Sequence, residues 1–213
     1  MVKQDISIIR DYFEHFTDVQ ISQLDKFAKL VTEWNDKINM VSRKDIDMLI
    51  PHHILHSLGI VKTFKFIPGT RILDLGTGGG LPGIPMAIAY PEVNFHLVDA
   101  RAKKIMVVNE VIEALQLKNV KAEHIRAEEL NTKYDFVVSR AVARLDKLLF
   151  WSRSNISKKE ANPIPNGLIA LKGGELSEIK AEVPKHEYIE HHNLEEIFKL
   201  EYYKEKYIIY VQS

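Results

Sequence analysis

A glycine-rich segment, Gly76-Thr77-Gly78-Gly79-Gly80, directly follows the apolar stretch Ile72-Leu73-Asp74-Leu75. Glycines allow the backbone to turn sharply and to approach a ligand where a side chain would clash. A dinucleotide-binding turn needs glycine at the last position of G-x-G-x-x-G, where this chain has Leu81, so the spacing disfavours NAD. The alternating spacing of Gly76, Gly78 and Gly80 instead suits a cofactor without a pyrophosphate, whose carboxylate and amine lie along the turn.

An acidic residue, Asp99, ends the next apolar stretch, 23 residues after Gly76 (99 − 76). A carboxylate roughly 20 residues beyond a glycine-rich turn is typical of sites that bind ribose hydroxyls. The alternative is that the glycines only form a tight turn and that Asp99 only caps the helix predicted from Ala102. The combination of both signals favours a cofactor with a ribose and an amino-acid tail, which S-adenosylmethionine has.

The elements that would position these residues alternate between strand-like and helix-like patterns after the turn dipeptide Pro68-Gly69. This alternation predicts an α/β fold, a Rossmann-like sheet with helices on both faces. Before the turn, apolar residues recur at steps of three and four and predict several short helices. We therefore expect a helical N-terminal extension over residues 1–67 and a Rossmann-like domain over residues 68–213. The predicted strands are 71–75, 93–98, 120–125, 134–139, 166–171 and 207–212, and the predicted helices are 84–90, 102–115 and 144–157.

Composition and charge limit the possible functions. The chain has 213 residues and a formal net charge of zero. It has no cysteine, which excludes disulfides, thiolate metal sites and cysteine nucleophiles. It lacks an apolar run of membrane-spanning length and a secretory signal at its start, so we expect a cytoplasmic protein that does not bind membranes. Residues 100–160 contain thirteen Lys and Arg but only eight Asp and Glu. This local positive charge favours an anionic partner such as RNA. The alternative is that it is only a solvated surface.

Several polar residues outside the turn are further candidates, each with a structural alternative. Arg140 ends a predicted strand, where ligands meet open sheets, and would hold the cofactor or the acceptor, or else pair with a nearby acid. Lys172 ends the next strand and would reach a phosphate, or else lie free on the surface. Asn35 and Asn39 would share one helical face and contact the target, or else pack a helix. We predict no metal site, because His52 and His56 lack a carboxylate at a matching spacing.

Most of the chain resembles the RsmG (GidB) family of small-subunit ribosomal RNA guanine-N7 methyltransferases. The segments that carry the resemblance are Trp34-Asn35 with Asn39, the run from Gly76 to Pro85, Arg126-Ala127-Glu128-Glu129, Tyr134-Asp135-Phe136-Val137-Val138-Ser139-Arg140-Ala141 and Leu171-Lys172-Gly173-Gly174. The resemblance implies a class I methyltransferase fold that uses S-adenosylmethionine. It also implies a guanine N7 of 16S ribosomal RNA, or of the small ribosomal subunit, as the acceptor, and cofactor contacts from Gly76, Leu81, Ala127, Glu128 and Arg140.

One departure from the family is visible, because Asp99 is followed by Ala100, where members often have serine. The Lys103-Lys104 pair remains. Guanine N7 has a lone pair and no proton, so its methylation needs alignment and charge stabilisation rather than a general base. We therefore predict Arg140 as the catalytic residue. The predicted cofactor contacts are Gly76, Gly78, Gly80, Leu81, Asp99, Ala127, Glu128 and Arg140, and the predicted RNA contacts are Asn35, Asn39, Lys103, Lys104 and Lys172.

Other chemistries are disfavoured or remain as alternatives. Amino-group methylation of adenine usually accompanies an Asn or Asp followed by two prolines and an aromatic residue, and this chain has Ser139-Arg140-Ala141 at that point. Covalent methylation of pyrimidine carbon 5 usually needs a cysteine. A methyltransferase for a small molecule or protein, an inactive RNA-binding protein of the same fold and a nicotinamide oxidoreductase are the alternatives. Nothing in the sequence indicates an oligomer, and a monomer is favoured.

Overall fold

The computed structural model describes residues 5–213, which form a seven-stranded sheet flanked by helices. The strand order is β3-β2-β1-β4-β5-β7-β6. Strands β1 to β5 pair in parallel, β7 pairs antiparallel with β5, and β6 pairs antiparallel with β7. The strands are β1 (Arg71–Leu75), β2 (Asn94–Asp99), β3 (Val120–His124), β4 (Phe136–Arg140), β5 (Gly167–Gly173), β6 (Ile189–Asn193) and β7 (Lys206–Gln212).

Helices connect the strands and cover both faces of the sheet. They are α1 (Ser7–Tyr12), α2 (Asp18–Asn35), α3 (Leu55–Thr63), α4 (Gly83–Ala89), α5 (Ala102–Leu115), α6 (Leu145–Ser152), α7 (Leu176–Ala181) and α8 (Leu194–Phe198). Short 3-10 segments lie at Ile46–Met48, Ala127–Glu129, Arg153–Asn155 and Glu201–Tyr203, and a π-helical turn, Ile50–Ile54, leads into α3. The predicted α/β class and Rossmann-like sheet are confirmed.

Alternation along the central strands divides the apolar core into two layers. In β5, Ile169 and Leu171 belong to one buried cluster, and Leu168 and Ala170 belong to the other. Successive side chains of a strand point to opposite faces, so a strand covered on both sides is apolar at every position. This is why β5 has a continuous apolar run rather than an alternating one.

The N-terminal helices pack onto one face of this sheet. Thr17 caps α2 in a reciprocal arrangement with Gln20, in which each side chain accepts a hydrogen bond from the other residue's backbone N–H. Phe13 and Phe27 are fully buried in the same apolar cluster as residues of β1, β2, β4 and β5. Several helical segments are present here as predicted, and one of them, α2, is longer than expected at 18 residues. The division at residue 67 stays a prediction, with a turn at Gly69 that has a positive φ of 84°.

The predicted elements agree with the structure within two residues, except for the helix predicted over 144–157. That helix ends at Ser152, where the 3-10 segment Arg153–Asn155 follows, and the chain then becomes extended at Ile156, which forms a parallel bridge with Tyr134. The Tyr134 backbone N–H donates to the Asn155 carbonyl at 2.8 Å, and the Ser157 N–H donates to the Tyr134 carbonyl at 2.8 Å. Three elements were not predicted at all, namely α7, α8 and β6. Within residues 5–213, none of the helices combines the length and the apolar character needed to cross a membrane.

Candidate functional site

A cavity of about 440 Å³ opens at the carboxyl ends of β3, β2, β1 and β4. This edge of an open parallel sheet is where ligands bind, because the strand-to-helix turns there present backbone N–H groups and leave a crevice. The cavity is also in the volume range of sites for small molecules and cofactors. Its walls include seven of the eight predicted cofactor contacts, namely Gly76, Gly78, Leu81, Asp99, Ala127, Glu128 and Arg140.

The glycine turn lies on the floor of the cavity and is fixed by the neighbouring strand. The backbone N–H groups of Gly76 and Thr77 both donate to the Val98 carbonyl at 2.9 Å. Gly78 has a φ of 57°, and a Cβ added there would lie 3.6 Å from Lys104 Nζ. Gly78 therefore combines a backbone conformation that favours glycine with a bare surface toward the cavity.

Gly80 serves a different purpose from the one predicted. It does not line the cavity. A Cβ at Gly80 would lie 2.7 Å from Cγ1 of Ile84 and 3.6 Å from Phe27, so the missing side chain makes room for packing between the turn and the helices. The prediction of a cofactor contact at Gly80 is therefore not supported, because glycine spacing alone does not tell which residue faces a ligand and which faces the core.

Asp99 connects the glycine turn with the start of α5. Its Oδ2 accepts a hydrogen bond from the Gly78 backbone N–H at 2.9 Å, and its Oδ1 accepts one from the Arg101 N–H at 2.9 Å. Asp99 is partly exposed and lines the cavity. Asp99 does not cap α5, whose N-cap is Arg101 without a side-chain cap hydrogen bond, but it orders the residues before the helix and presents a carboxylate to the cavity. Each oxygen retains a lone pair that can accept from a ligand hydroxyl.

A second carboxylate lies beneath the turn and holds its two ends together. Asp74 is fully buried, and its Oδ2 accepts from the Thr77 hydroxyl at 2.6 Å and from the Gly83 backbone N–H at 2.9 Å. Burial raises the pKa of Asp74 to about 7, although these hydrogen bonds and the positive charge of Arg140 oppose the shift. Its Oδ1 is buried without a hydrogen-bond partner. Asp74 therefore shapes the turn from below, and sequence analysis included it only as part of the strand.

Arg140 enters the cavity from the end of β4 and has a histidine as a partner. Its Nη1 donates to Nδ1 of His53 at 2.7 Å, and its Nε is buried without a partner. Arg140 lines the cavity, and among the described residues only its Nη1 takes part in a hydrogen bond, so the guanidinium presents unused Nη2 donors there. This arrangement differs from the alternative of a salt bridge to an acid, and it leaves Arg140 able to bind a carboxylate or a base edge.

The predicted RNA contacts do not form one surface. The helix α2 ends at Asn35, so Asn39 lies beyond it and the two do not share a helical face, because the chain turns at residues 36–39. Asn35 is buried, and its Oδ1 accepts from the backbone N–H groups of Met40 and Val41 at 2.8 and 2.9 Å. This position does not support contact with RNA, whereas Asn39 is exposed.

The three lysines are placed in three different environments. Lys103 is exposed, whereas Lys104 lines the cavity, where burial lowers its pKa against the opposing effect of Asp99. Lys172 is largely buried and pairs with Glu182 at 3.1 Å, and it also donates to the Ala143 carbonyl at 3.2 Å. Lys172 is therefore a structural ion pair rather than a free cation for phosphate, because Glu182 already neutralises it.

Several residues of the cavity wall were not predicted from the sequence, namely Met40, Thr77, Arg101, Arg126, Val142 and Trp151. Thr77 could have been found from its place inside the glycine turn, and Arg126 from the segment that carries the family resemblance. Met40 and Trp151 carry no such signal, because a loop and a helix bring them in through tertiary packing. No three His, Cys, Asp or Glu side chains in the described part of the chain form a group able to hold a metal ion.

The chemistry of the cavity fits the cofactor that the sequence predicts. The cavity borders the bare backbone of Gly78, and any Cβ at that position would narrow it. Asp99 offers an acceptor for ribose hydroxyls, and Arg140 offers donors for a carboxylate. The strand order places Arg140, Gly76, Asp99 and Glu128 along one line across β4, β1, β2 and β3. Three strand spacings span about 14 Å, a length that suits an extended nucleoside with an amino-acid tail.

Comparison with known proteins agrees with the sequence and the geometry. Residues 20–206 match the family described as rRNA small subunit methyltransferase G. The ribosomal RNA small subunit methyltransferase G of Bacteroides thetaiotaomicron is 50% identical over 207 residues, which cover 97% of this chain and 100% of that protein. The protein of the same name from Flavobacterium johnsoniae is 49% identical over 203 residues, covering 95% of this chain and 96% of that one.

Among solved structures, the precorrin-6y C5,15-methyltransferase of Geobacter metallireducens has a similar fold. It superimposes with a TM-score of 0.54 at 10% sequence identity, covering 83% of this chain and 92% of that chain. At this identity the likeness concerns the fold alone.

Proposed function

We infer that this chain, which belongs to the rRNA small subunit methyltransferase G family, is an enzyme that transfers a methyl group from S-adenosylmethionine to N7 of a guanine in 16S ribosomal RNA. The observation that carries the inference is the cavity in which the bare backbone of Gly78, the carboxylate of Asp99 and the guanidinium of Arg140 meet. Their order across β4, β1 and β2 is that of the methyl donor, from its amino-acid tail at Arg140 and Gly78 to its ribose at Asp99.

Each part of the cavity has a proposed role in holding the donor. The turn at Gly76 and Gly78 presents bare main chain to the amino-acid tail, and Asp99 accepts hydrogen bonds from the ribose hydroxyls. Ala127 and Glu128 follow β3 at the far end of the cavity and contact the base. Leu81 is buried just before α4 and adds an apolar surface to the cavity wall beside the turn.

The donor, when bound, supplies an electrophilic methyl group on a sulfonium centre. The protein needs to align the acceptor with that group and to exclude water, because guanine N7 carries a lone pair and no proton to remove. Arg140 is the candidate catalytic residue, since its unused donors reach the cavity from β4. A fixed cation that donates hydrogen bonds would orient either the tail of the donor or the edge of the guanine.

The proposed RNA surface lies around the mouth of the cavity. Arg101 and Arg126 are exposed and line the cavity, and Lys103 is exposed in the first turn of α5. Lysines and arginines contribute to RNA affinity through the phosphates in a salt-dependent way. We therefore retain Lys103 and Asn39 of the predicted RNA contacts and add Arg101 and Arg126.

The charge of this surface can be tested by substitution at Lys103. We expect Lys103→Glu to raise the KM for RNA several-fold at low salt and to leave cofactor affinity unchanged, because Lys103 is exposed and does not line the cavity. Lys65→Glu is the matched control, since Lys65 is exposed and precedes the amino end of β1, whereas the cavity lies at the carboxyl ends of the strands. Equal effects of the two substitutions would remove Lys103 from the RNA surface.

The remaining proposals concern the context of the reaction. We propose that the enzyme acts in the cytoplasm, as a monomer, on 16S ribosomal RNA either free or within the small ribosomal subunit. Light scattering of the purified protein would test the monomer, and fractionation of the source cells would test the compartment. Comparison of naked RNA, assembly intermediates and subunits as substrates would identify the form that is methylated.

The decisive experiment for the function is methyl transfer followed by mapping of the modified base. We expect radiolabel from S-adenosylmethionine to enter 16S ribosomal RNA or small subunits from a strain that lacks the modification, as 7-methylguanine. Methylation of a small molecule or protein, with no label in ribosomal RNA, would favour the first alternative. Cofactor binding without transfer to any of these acceptors would favour an inactive RNA-binding protein.

A further inference from the structure

We propose that His53 and Asp45 are positioning residues that hold the Arg140 guanidinium in the orientation used for catalysis. The inference rests on the proposed function of the Arg140 site. Neither His53 nor Asp45 lines the cavity, but His53 is hydrogen-bonded to Arg140, which does.

The three side chains form a linear hydrogen-bonded chain across separate elements. Nη1 of Arg140, at the end of β4, lies 2.7 Å from Nδ1 of His53 in the π-helical turn before α3. Nε2 of His53 lies 2.5 Å from Oδ2 of Asp45, in the loop before the 3-10 segment Ile46–Met48. The N-terminal helical region is therefore connected to Arg140 at the strand-end cavity through this chain.

The donors and acceptors of the chain allow one arrangement of protons. A guanidinium can only donate, so Nδ1 of His53 must accept, and the single ring proton must lie on Nε2. That proton faces the Asp45 carboxylate, which can only accept. Burial and the neighbouring charge of Arg140 lower the pKa of His53 to about 4, which agrees with a neutral ring. His53 is thus locked in one tautomer between a donor and an acceptor.

Asp45 is itself anchored on its second oxygen. Oδ1 of Asp45 lies 2.7 Å from Nδ1 of His52, and the His52 ring stacks on Tyr202 with ring centroids 3.4 Å apart and an angle of 4° between the planes. Tyr202 belongs to the segment before β7. The carboxylate is therefore fixed from both sides, and its position is transmitted to Arg140 through His53.

This support matters because Arg140 lacks other fixed partners on its inner edge. Its Nε is buried and makes no hydrogen bond, so the contact to His53 is the one that sets the rotation of the guanidinium among the described side chains. A charged donor held in one orientation before the ligand arrives does not need to reorganise during the reaction. Small displacements of such groups reduce rates strongly.

A double-mutant cycle tests whether His53 acts through Arg140. We expect His53→Phe, which keeps a ring but removes the acceptor, to lower kcat/KM for RNA or the affinity for S-adenosylhomocysteine by about 10- to 100-fold, the range of one hydrogen bond to a charged group. In an Arg140→Met background, which keeps the aliphatic stem, the same substitution should change both quantities less than about twofold. The proposal would be overturned if His53→Phe reduced kcat/KM and the affinity for S-adenosylhomocysteine by the same factor in the Arg140→Met protein as in the unmodified one.

Two further variants separate positioning from a general loss of stability. His53→Asn places an amide oxygen near the position of Nδ1 and should recover most of the activity that His53→Phe loses. His96→Phe is the control, because His96 is also a histidine of low exposure but lies within β2 and does not line the cavity. If His96→Phe reduces activity as much as His53→Phe does, or if His53→Asn gives no recovery, the role of His53 is only structural.

A measurement independent of activity tests the proton arrangement directly. Nitrogen-15 chemical shifts of His53 in the full-length protein should report a neutral ring with its proton on Nε2 at pH 7. A charged ring, or a proton on Nδ1, would contradict the proposal even if methylation of ribosomal RNA is confirmed. Conversely, the expected tautomer, together with non-additive effects of His53→Phe and Arg140→Met on the affinity for S-adenosylhomocysteine, would support the positioning role even if ribosomal RNA were not the acceptor.

Discussion

Substitution of Gly78 by valine tests whether the glycine turn carries the cofactor. Gly78 has a φ of 57°, and a Cβ there would meet only Lys104 Nζ at 3.6 Å and the Gly76 carbonyl at 3.9 Å, which are ordinary contacts. The protein itself can accommodate the first carbon of the side chain, and the backbone strain of about 1–2 kcal/mol is the main cost in the free protein. A side chain that enters the cavity would, however, meet the ligand.

Gly69 provides a matched control for this substitution. It also has a positive φ, 84°, and a Cβ there would meet nothing within 4 Å, but it lies in the turn before β1 and away from the cavity. We expect Gly78→Val and Gly69→Val to lower the Tm of the free protein by similar amounts, about 2 to 8 °C for a chain of this size. The shared strain therefore cancels in the comparison.

Calorimetric titration with S-adenosylhomocysteine then isolates the ligand effect. Overfilling a packed site costs about 1–3 kcal/mol, which corresponds to about a 5- to 150-fold increase in Kd. We expect that increase in Gly78→Val alone, with Gly69→Val binding as the unmodified protein does. If both variants bind with unchanged affinity, Gly78 does not contact the ligand and the turn has been assigned the wrong function.

Three further predictions follow from the geometry of the site. Arg140→Ala should lower kcat/KM for RNA by at least about 100-fold and change the free energy of unfolding by less than about 3 kcal/mol, and full activity would remove Arg140 from the site. Gly83→Ala should destabilise the protein by about 3 kcal/mol in urea denaturation, since its Cβ would lie 2.6 Å from Asp74 Oδ2 and 2.8 Å from Leu97, and an unchanged midpoint would contradict this. His53 has a pKa of about 4 in the folded protein against 6.5 in the unfolded chain, so the unfolded chain takes up the proton first as the pH falls. The free energy of unfolding should therefore decrease by about 3 kcal/mol between pH 6.5 and pH 4. His53→Phe should reduce this pH dependence, and an equal pH dependence in both proteins would refute the prediction.

The central strands and the glycine turn were predictable from sequence because their signals are local. The segment from Ile72 through Gly80 combines a mostly apolar strand with glycines that a ligand-binding turn requires, and Asp99 follows at the expected distance. The strand β6, by contrast, contains Glu190, His191 and His192, which give no apolar alternation. It is a strand because it pairs with β7 at the edge of the sheet, and such pairing is a tertiary effect.

The site itself was only partly predictable, for a similar reason. Residue type suggested that Lys172 and Asn35 would bind RNA, but the structure gives Lys172 a carboxylate partner and buries Asn35 beneath the loop that carries Met40. Charge and polarity in a sequence do not reveal whether a partner within the protein already uses them. The contact between His53 and Arg140 joins residues 87 positions apart and likewise leaves no local pattern.

The most direct test of the account is a crystal structure of the full-length protein with S-adenosylhomocysteine. We predict that the ligand lies across the carboxyl ends of β4, β1, β2 and β3, with its amino-acid tail on the backbone at Gly76 and Gly78 and its ribose hydroxyls on Asp99. A ligand bound at another surface, with the glycine turn covered by protein side chains, would contradict the assignment of the site on which the proposed chemistry depends.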